Sequence, residues 1–387
     1  MKRTILGILI LSLAAGLVSG CSPQSEVHAE KVLQEEVDQE QDEETEVTEE
    51  AIETVEASAE TAKEEPDLTM RSIWSESGID YTSAEGLALE AGSKIAVVAG
   101  SKNSYWMKVR EGMEQAIKDL NTALGYTGGN KIELTFDAPA DGMDVDAQIN
   151  MIDTVLDENP TVLCLAAIDQ NSCQAQLETA FDNEIPVVML DSGVHSDLFT
   201  TTCQTDNYAA GGEAARRLSE AIGGIGKIAI MAHVPTAQTS ADREQGFRDE
   251  IQANYPQITL LPASYENEET SVADMAREVI EANPDLNAYF CTTEDMAVQV
   301  LEVLKNYPDR DIKVVSFDAG AQQVKAVKEG REAGVIVQNP FGMGYATIIA
   351  AARSVLGLSN DAFIDTGYQW LDASNIDDVI YQNYLYE

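Results

Sequence analysis

The sequence predicts an α/β fold of two similar lobes, each a parallel β-sheet flanked by helices, and three observations predict it. The first is the stretch Lys94 to Leu120, KIAVVAGSKNSYWMKVREGMEQAIKDL, where an apolar run, a polar turn and an amphipathic segment follow one another directly. An apolar run from Ile95 to Gly100 reads as a strand buried on both faces. Such strands belong to parallel sheets, and the helix behind it is the crossover. The second observation is that the same strand-then-helix grammar repeats along the chain. The third is that the pattern restarts. Gly226-Lys227-Ile228-Ala229-Ile230 echoes Ser93-Lys94-Ile95-Ala96-Val97, and Asn283-Pro284 echoes Asn159-Pro160, each ahead of a strand. The offset is roughly 130 residues, the size of one α/β lobe rather than of a solenoid repeat.

The 387 residues leave room for two domains plus extensions. With 67 acidic against 24 basic residues the formal charge is -43, which excludes a nucleic-acid partner, because phosphate binding needs clustered Lys and Arg. Residues 1–20 read as an export signal: Lys2 and Arg3, an apolar run from Ile5 to Val18, then Ser19-Gly20. The run is short for a membrane span. Its VSGC ending resembles the lipobox of bacterial lipoproteins. That resemblance implies that Cys21 becomes the acylated first residue, anchored in membrane lipid by roughly 0.8 kcal/mol per buried methylene.

Residues 21–92 read as an acidic tether and N-terminal extension. From Ser22 to Leu68 only Lys31 and Lys63 oppose a long series of carboxylates, so the segment repels itself and stays disordered. As a flexible chain it spans roughly 40 Å. Between Met70 and Gly92 the apolar residues Ile73, Trp74, Tyr81, Leu87 and Leu89 return, in a pattern that does not say how they pack.

The opening strand is followed by a helix with Trp106, Val109, Met113, Ala116, Ile117 and Leu120 on one stripe. IELTF (132–136) is a strand, and a helix carries Ile149, Ile152 and Val155. TVLCLAA (161–167) is the next strand, before a helix with Leu177, Ala180 and Phe181. PVVML (186–190) and LFTTTC (198–203) complete a first sheet. In the second half the strands are the Gly226 run, ITLLPASY (258–265), LNAYFCT (286–292), KVVSFD (313–318) and GVIVQ (334–338), with helices between them. A cleft between two such lobes, lined by the carboxyl ends of their strands, is the natural ligand site. Cys164, Cys173, Cys203 and Cys291 form an even set, which in an exported protein permits disulfides. Three of them lie in apolar strand-like runs, the usual setting of a buried free thiol.

From Lys94 onward the chain resembles the periplasmic sugar-binding proteins of ABC transporters, nearest to the ribose-binding type. The fragments that carry the resemblance are KNSYW, NEIPVVMLDS, TTCQTDNYAAGGEAA, TSADREQGF, FCTTEDMA, VVSFDA and VIVQNPFGMG, in the family's order. It implies a periplasmic binding protein type I fold whose lobes are joined by a three-stranded hinge, with crossings near Thr205, Gln338 and Gly367. Lobe 1 would comprise 93–204 plus 339–367, and lobe 2 would comprise 205–338 plus 368–387. By position, the resemblance implies ligand contacts from Asn103, Tyr105 and Trp106 after the first strand and from Asp191 after the fourth. It adds Arg243 of the R-x-x-G-F element, the aromatic Tyr265, and the polar Asp318 and Gln338. Ser192 stands where a second arginine is expected and Thr293 where an asparagine is expected. The expected ligand is therefore a monosaccharide or polyol other than ribose.

The chemistry of that set suits a sugar. Each hydroxyl both donates and accepts, so acceptor-only carboxylates, a donor-only guanidinium and bifunctional amides can satisfy it, while aromatic rings face its C–H side. Each residue also has a plainer role open to it. Trp106 lies on the core stripe, Arg243 has Asp242 and Glu244 beside it, Asp318 is placed to cap a helix, and Gln338 precedes a turn.

Other motifs fall short. Asp191-Ser192 near His195 lacks a nucleophile elbow, so catalysis is not expected. GGIGKI (223–228) lacks the first glycine and the hydroxyl residue of a phosphate loop. The loop starting at Asp137 has Asp141-Gly142 but Gln148 where a calcium loop needs its bidentate Glu. No cofactor and no metal are expected. The expected partners are a sugar or polyol, the membrane subunits of an ABC permease, and membrane lipid through Cys21, with the protein a monomer on the outer face of the bacterial cell membrane. The alternative is a receptor that reports the ligand to a sensor kinase or chemoreceptor. A sugar-responsive repressor is excluded, because an export signal and an acidic tether occupy the place of its DNA-binding helices.

Overall fold

The computed structural model describes Met70 and residues 72–386; the export signal at 1–20, Cys21 and the acidic tether up to residue 69 lie outside the described residues. No helix among the described residues is long and apolar enough to cross a membrane. In chain order the strands of the first half are β1 (Lys94–Val98), β2 (Glu133–Asp137), β3 (Val162–Leu165), β4 (Val187–Leu190) and β5 (Thr201–Gln204). The second half supplies β6 (Gly226–Ala232), β7 (Ile258–Leu260), β8 (Ser264–Tyr265), β9 (Ala288–Cys291), β10 (Lys313–Phe317) and β11 (Gly334–Gln338). Two short strands follow, β12 (Phe363–Asp365) and β13 (Tyr368–Leu371). The main helices are α1 (Ser104–Leu124), α2 (Val145–Asp157), α3 (Gln174–Asp182), α4 (Asn207–Ala221), α5 (Gln238–Asn254), α6 (Val272–Ala282), α7 (Glu294–Leu304), α8 (Ala321–Lys328) and α9 (Pro340–Val355).

The strands form two sheets, ordered β12-β5-β4-β3-β1-β2 and β13-β11-β10-β9-β6-β7, with β8 on the far end of β6. All pairs of the first sheet are parallel, as the buried apolar runs predict. Successive residues of β1 serve opposite faces. Ile95 and Val97 join the stripe of α1 and the helix α9, whereas Ala96 and Val98 join Ile152 of α2 and Leu177 of α3. The second sheet is built the same way, with α4 and α5 on one face and α6 and α7 on the other.

Two features differ from the sequence expectation. The run at 258–265 is two strands, because Pro262 lies between them and has no N–H to give the ladder. The edge strands β12 and β13 were not expected, and β13 runs antiparallel to β11 in an otherwise parallel sheet. Residues 72–92, whose packing the sequence leaves open, lie on the first lobe: Tyr81, Leu87 and Leu89 are buried in its core. The Trp74 N–H donates to the Asp365 carbonyl at 2.8 Å, and Ser75 Oγ donates to the Asp361 carboxylate at 2.6 Å. The four described cysteines are buried free thiols.

The chain changes sheet after β5, after β11 and between β12 and β13. Hydrogen bonds tie these passages together. Thr366 N–H donates to the Gln204 carbonyl at 3.0 Å, Asn339 Nδ2 to the Thr366 carbonyl at 3.1 Å, and Thr205 Oγ1 to the Gly367 carbonyl at 3.3 Å. In each lobe two helices cross at backbone contact. A Cβ on Gly211 of α4 would stand 2.2 Å from the Arg243 carbonyl on α5, and one on Gly112 of α1 would stand 1.9 Å from the Phe341 carbonyl on α9. Glycine is needed at both places.

Candidate functional site

A cavity of about 340 Å³ lies between the lobes, at the carboxyl ends of both sheets. It sits at the small end of the range of roughly 300–1,000 Å³ usual for small-molecule sites.

The first lobe contributes residues that follow β1 and β4. Asn103 caps α1, its side-chain oxygen accepting from Trp106 N–H at 3.0 Å, and it also lines the cavity. Both its plain role and its predicted one therefore hold a place in the structure. Tyr105 and Trp106 stand edge to face with ring centroids 5.3 Å apart, and both line the cavity while being largely buried. Tyr105 donates its hydroxyl proton to Asp191 Oδ1 at 2.6 Å. Asp191 and Ser192 follow β4 directly and line the cavity.

The second lobe mirrors this arrangement. Asp318 follows β10, and its Oδ1 accepts from Gln338 Nε2 at 2.8 Å. Asp191 and Asp318 both have positive φ, 57° and 76°, which Asp tolerates better than most side chains. Each is thus the first residue past a strand, turned back by a left-handed step so that its carboxylate faces the cleft. Asp318 does not cap the helix that follows it, because the N-cap of α8 is Gly320. Burial pushes the proton affinity of both carboxyls up. The Tyr105 hydroxyl and Arg243 pull Asp191 back, and Arg243 and Gln338 pull Asp318 back.

Arg243 is only 3% exposed and pairs with neither Asp242 nor Glu244. Its Nε donates to Asn207 Oδ1 and its Nη1 to the Thr292 carbonyl, both at 2.8 Å, while the guanidinium lies 4.1 Å from the centre of the Phe317 ring. Packing on that ring and two fixed donors hold the cation rigidly at the cleft wall.

Nine of the ten ligand residues expected from sequence line the cavity together: Asn103, Tyr105, Trp106, Asp191, Ser192, Arg243, Thr293, Asp318 and Gln338. Tyr265 does not. It is 37% exposed and donates its hydroxyl to Glu244 Oε2 at 2.8 Å on the outside of the lobe. Successive residues of a strand point opposite ways, so it is the neighbour Glu266 that enters the cleft.

Sequence reasoning missed further lining groups: His233, Glu266, Glu294, Asp295 and Tyr386. His233 Nδ1 and Glu266 Oε2 are 2.5 Å apart. Glu294 and Asp295 open α7, where acids favour the helix dipole, which is why they read as helix-start residues. Tyr386 arrives from the C-terminus, bridges to Gly320 and stacks edge to face on Tyr105 with centroids 5.9 Å apart. The motifs set aside on sequence have structural explanations. Gln148 is buried and holds the carbonyls of Ala99 and Ala166 and the N–H of Ile168, while Asp144 caps α2. Among the described residues no cluster of acidic, His or Cys side chains fits a metal ion.

Two α/β lobes joined by three passes of chain, with a polar cavity at their strand ends, define a solute-binding protein. The chain belongs to the periplasmic binding protein domain family, whose model matches residues 95–358. It is thus a binding protein that works outside the cytoplasm, and not an enzyme. Among curated relatives, it is 23% identical to the xylitol-binding protein of Mycolicibacterium smegmatis, over 64% of this chain and 67% of that one. It is 22% identical to the ribose import binding protein of Bacillus subtilis, over 66% of this chain and 78% of that one. Among solved structures, an ABC transporter solute-binding protein of Agrobacterium vitis bound to α-D-tagatopyranose superposes with a TM-score of 0.70 at 27% identity, covering 76% of this chain and 99% of that one. A second from the same organism, with bound D-fucose, gives 0.69 at 27% identity, covering 76% of this chain and all of that one.

Proposed function

We propose that this protein captures a monosaccharide or related polyol in the interlobe cavity and hands it to the membrane subunits of an ABC permease. The observation that carries the reading is the convergence on one small cavity of Asp191, Asp318, Arg243, Gln338 and Asn103 with the rings of Tyr105 and Trp106. Carboxylates, a guanidinium and amides together match hydroxyls that donate and accept, and charged partners roughly double the strength of each hydrogen bond. The rings offer apolar faces to the C–H side of a sugar. The names of the relatives and the sugars bound in the similar structures support the same class.

In this reading the export signal is removed before Cys21, and an acylated Cys21 holds a monomer at the outer face of the membrane on its acidic tether. The lobes, residues 93–204 plus 339–367 and residues 205–338 plus 368–387, close on the ligand about the three passes. The test is a thermal-shift screen of the purified protein against monosaccharides and polyols. A ligand at 100 times its Kd adds roughly 2.7 kcal/mol of stability. A screen in which no sugar or polyol raises the melting temperature refutes the reading.

A further inference from the structure

The cavity is lopsided in charge. Six carboxyl side chains line it, with one arginine and one histidine. Both basic groups already have partners: two of the five donors of Arg243 are fixed on Asn207 and Thr292, and His233 is paired with Glu266. Four of the acids, Glu266, Glu294, Asp295 and Asp318, come from three places on the second-lobe wall. They raise one another's proton affinity: Asp318 and Asp295 act on Glu294, and Glu266 and Asp318 act on Asp295. Helix-dipole stabilisation accounts for Glu294 and Asp295, which open α7, but not for Glu266 and Asp318 on other elements. An independent observation points the same way. Gln338, which lines the cavity, is 3% exposed; its Nε2 donates to Asp318, and its Oε1 has no hydrogen-bond partner among the described residues.

Acceptors are therefore in surplus and donors are scarce. A neutral hydroxyl brings one donor and two acceptor sites, whereas an ammonium brings three donors, no acceptor and a positive charge. A cation at the second-lobe wall also relieves the mutual repulsion of the acids. No cluster among the described residues has the spacing of a metal site, whereas an ammonium carried by the sugar itself would supply the cation. We propose that the ligand is an amine-bearing sugar or polyol, its ammonium group seated against Glu294, Asp295 and Asp318. This rests on the reading of the cavity as a sugar site and narrows it.

The test is isothermal calorimetry on the purified protein at pH 7.5 with D-glucosamine, D-galactosamine, D-mannosamine and 1-amino-1-deoxy-D-fructose, each beside its neutral parent sugar and, for the hexosamines, its N-acetyl derivative. For the sugar that binds best, the amine is expected to bind about 100-fold tighter than the neutral parent, the worth of one or two charge-assisted bonds. Asp295→Asn is expected to cut that preference, read as the ratio of amine to neutral-parent affinity, by about tenfold. Affinity for the ammonium form, corrected for the titration of the amine itself, is also expected to fall from pH 8 to pH 6, as Glu294, faced by Asp318, Asp295 and the Tyr386 hydroxyl, takes up a proton. If instead the acids were present as protonated donors to a neutral sugar, binding would tighten over that range. A neutral parent that binds as tightly as its amine overturns the charge inference and leaves the sugar reading standing. Heat from no member of the panel, charged or neutral, overturns the sugar reading itself.

Discussion

Asp318→Asn is the sharpest single perturbation of the cavity. At φ 76° an Asn is tolerated, whereas Ala adds about 1–2 kcal/mol of left-handed strain, so Asn removes the charge without bending the chain. A carboxylate offers about four acceptor sites. In Asp318 one is used by Gln338 and another by the backbone N–H of Glu294, which leaves two for the ligand. Losing charge-assisted bonding at that carboxylate costs about 1.5–3 kcal/mol, equivalent to a 10- to 150-fold rise in Kd. In a thermal-shift assay at 100 times the wild-type Kd, the ligand's stabilisation should drop from about 2.7 kcal/mol to between roughly 1.4 and 0.3.

The empty protein should not suffer. Burial raises the proton affinity of Asp318, so its ionised form opposes folding at neutral pH, and an uncharged amide removes that opposition. Calorimetry and thermal melts of the wild type and the variant settle the matter together. An unchanged Kd would show that Asp318 does not touch the ligand. A large loss of stability in the empty variant would show that its role is structural.

Three other expectations follow from the packing and the buried charges. Glu332, buried beside Ser316 and Gln323, has its proton affinity pushed by burial up to about 8, so the folded state holds the proton that the unfolded chain releases near pH 4.5. Stability contributed there is complete below pH 4.5 and is lost at about 1.4 kcal/mol per pH unit up to pH 8, and Glu332→Gln should flatten that slope in melts taken from pH 5 to pH 8. Gly211→Ala drives a Cβ to within 2.2 Å of the Arg243 carbonyl and should cost about 1–3 kcal/mol while weakening ligand binding, because the helix that must shift carries the guanidinium. A normal melt with full affinity would contradict this account of the helix crossing. Tyr265→Phe should leave ligand affinity within about twofold, since only its bond to Glu244 is lost, and a tenfold loss would return Tyr265 to the cleft.

Legibility in the sequence followed continuity of the signal. Ile95 to Ala99, Val162 to Leu165 and Val187 to Leu190 are apolar without interruption because both faces are covered, and each proved to be a central strand. The edge strands β12 and β13 are three and four residues long, and most of their residues are only partly buried. They exist because Thr202 and Gln338 offer partners from far along the chain, which no local window contains. The same limit applied at the site. Residues at the ends of long strands, such as Asp191 and Asp318, were legible. Glu266 was not, because Pro262 interrupts the strand and the alternation cannot be phased across the break. Tyr386 was hidden for a different reason. It belongs to the cavity by tertiary approach to Tyr105, 281 positions away in sequence.

The positions of the two left-handed aspartates also bear on how the lobes respond to ligand. Asp191 belongs to the first lobe and Asp318 to the second, and the Asp318 charge raises the proton affinity of Asp191 across the cavity, so the pair repel through a space of low dielectric. Arg243 is held off from both, since no carboxylate oxygen among the described residues lies within 4 Å of its guanidinium, and it offsets that repulsion only in part. Bringing the lobes together over an empty cavity therefore works against like charges. A ligand that donates to both carboxylates replaces that repulsion with two attractions, so its free energy of binding differs between the open and closed arrangements, which is the condition for occupancy to drive closure. Neutralising either aspartate should weaken that coupling as well as affinity. In Asp191→Asn or Asp318→Asn, small-angle scattering should then show a ligand-free population more compact than that of the wild type.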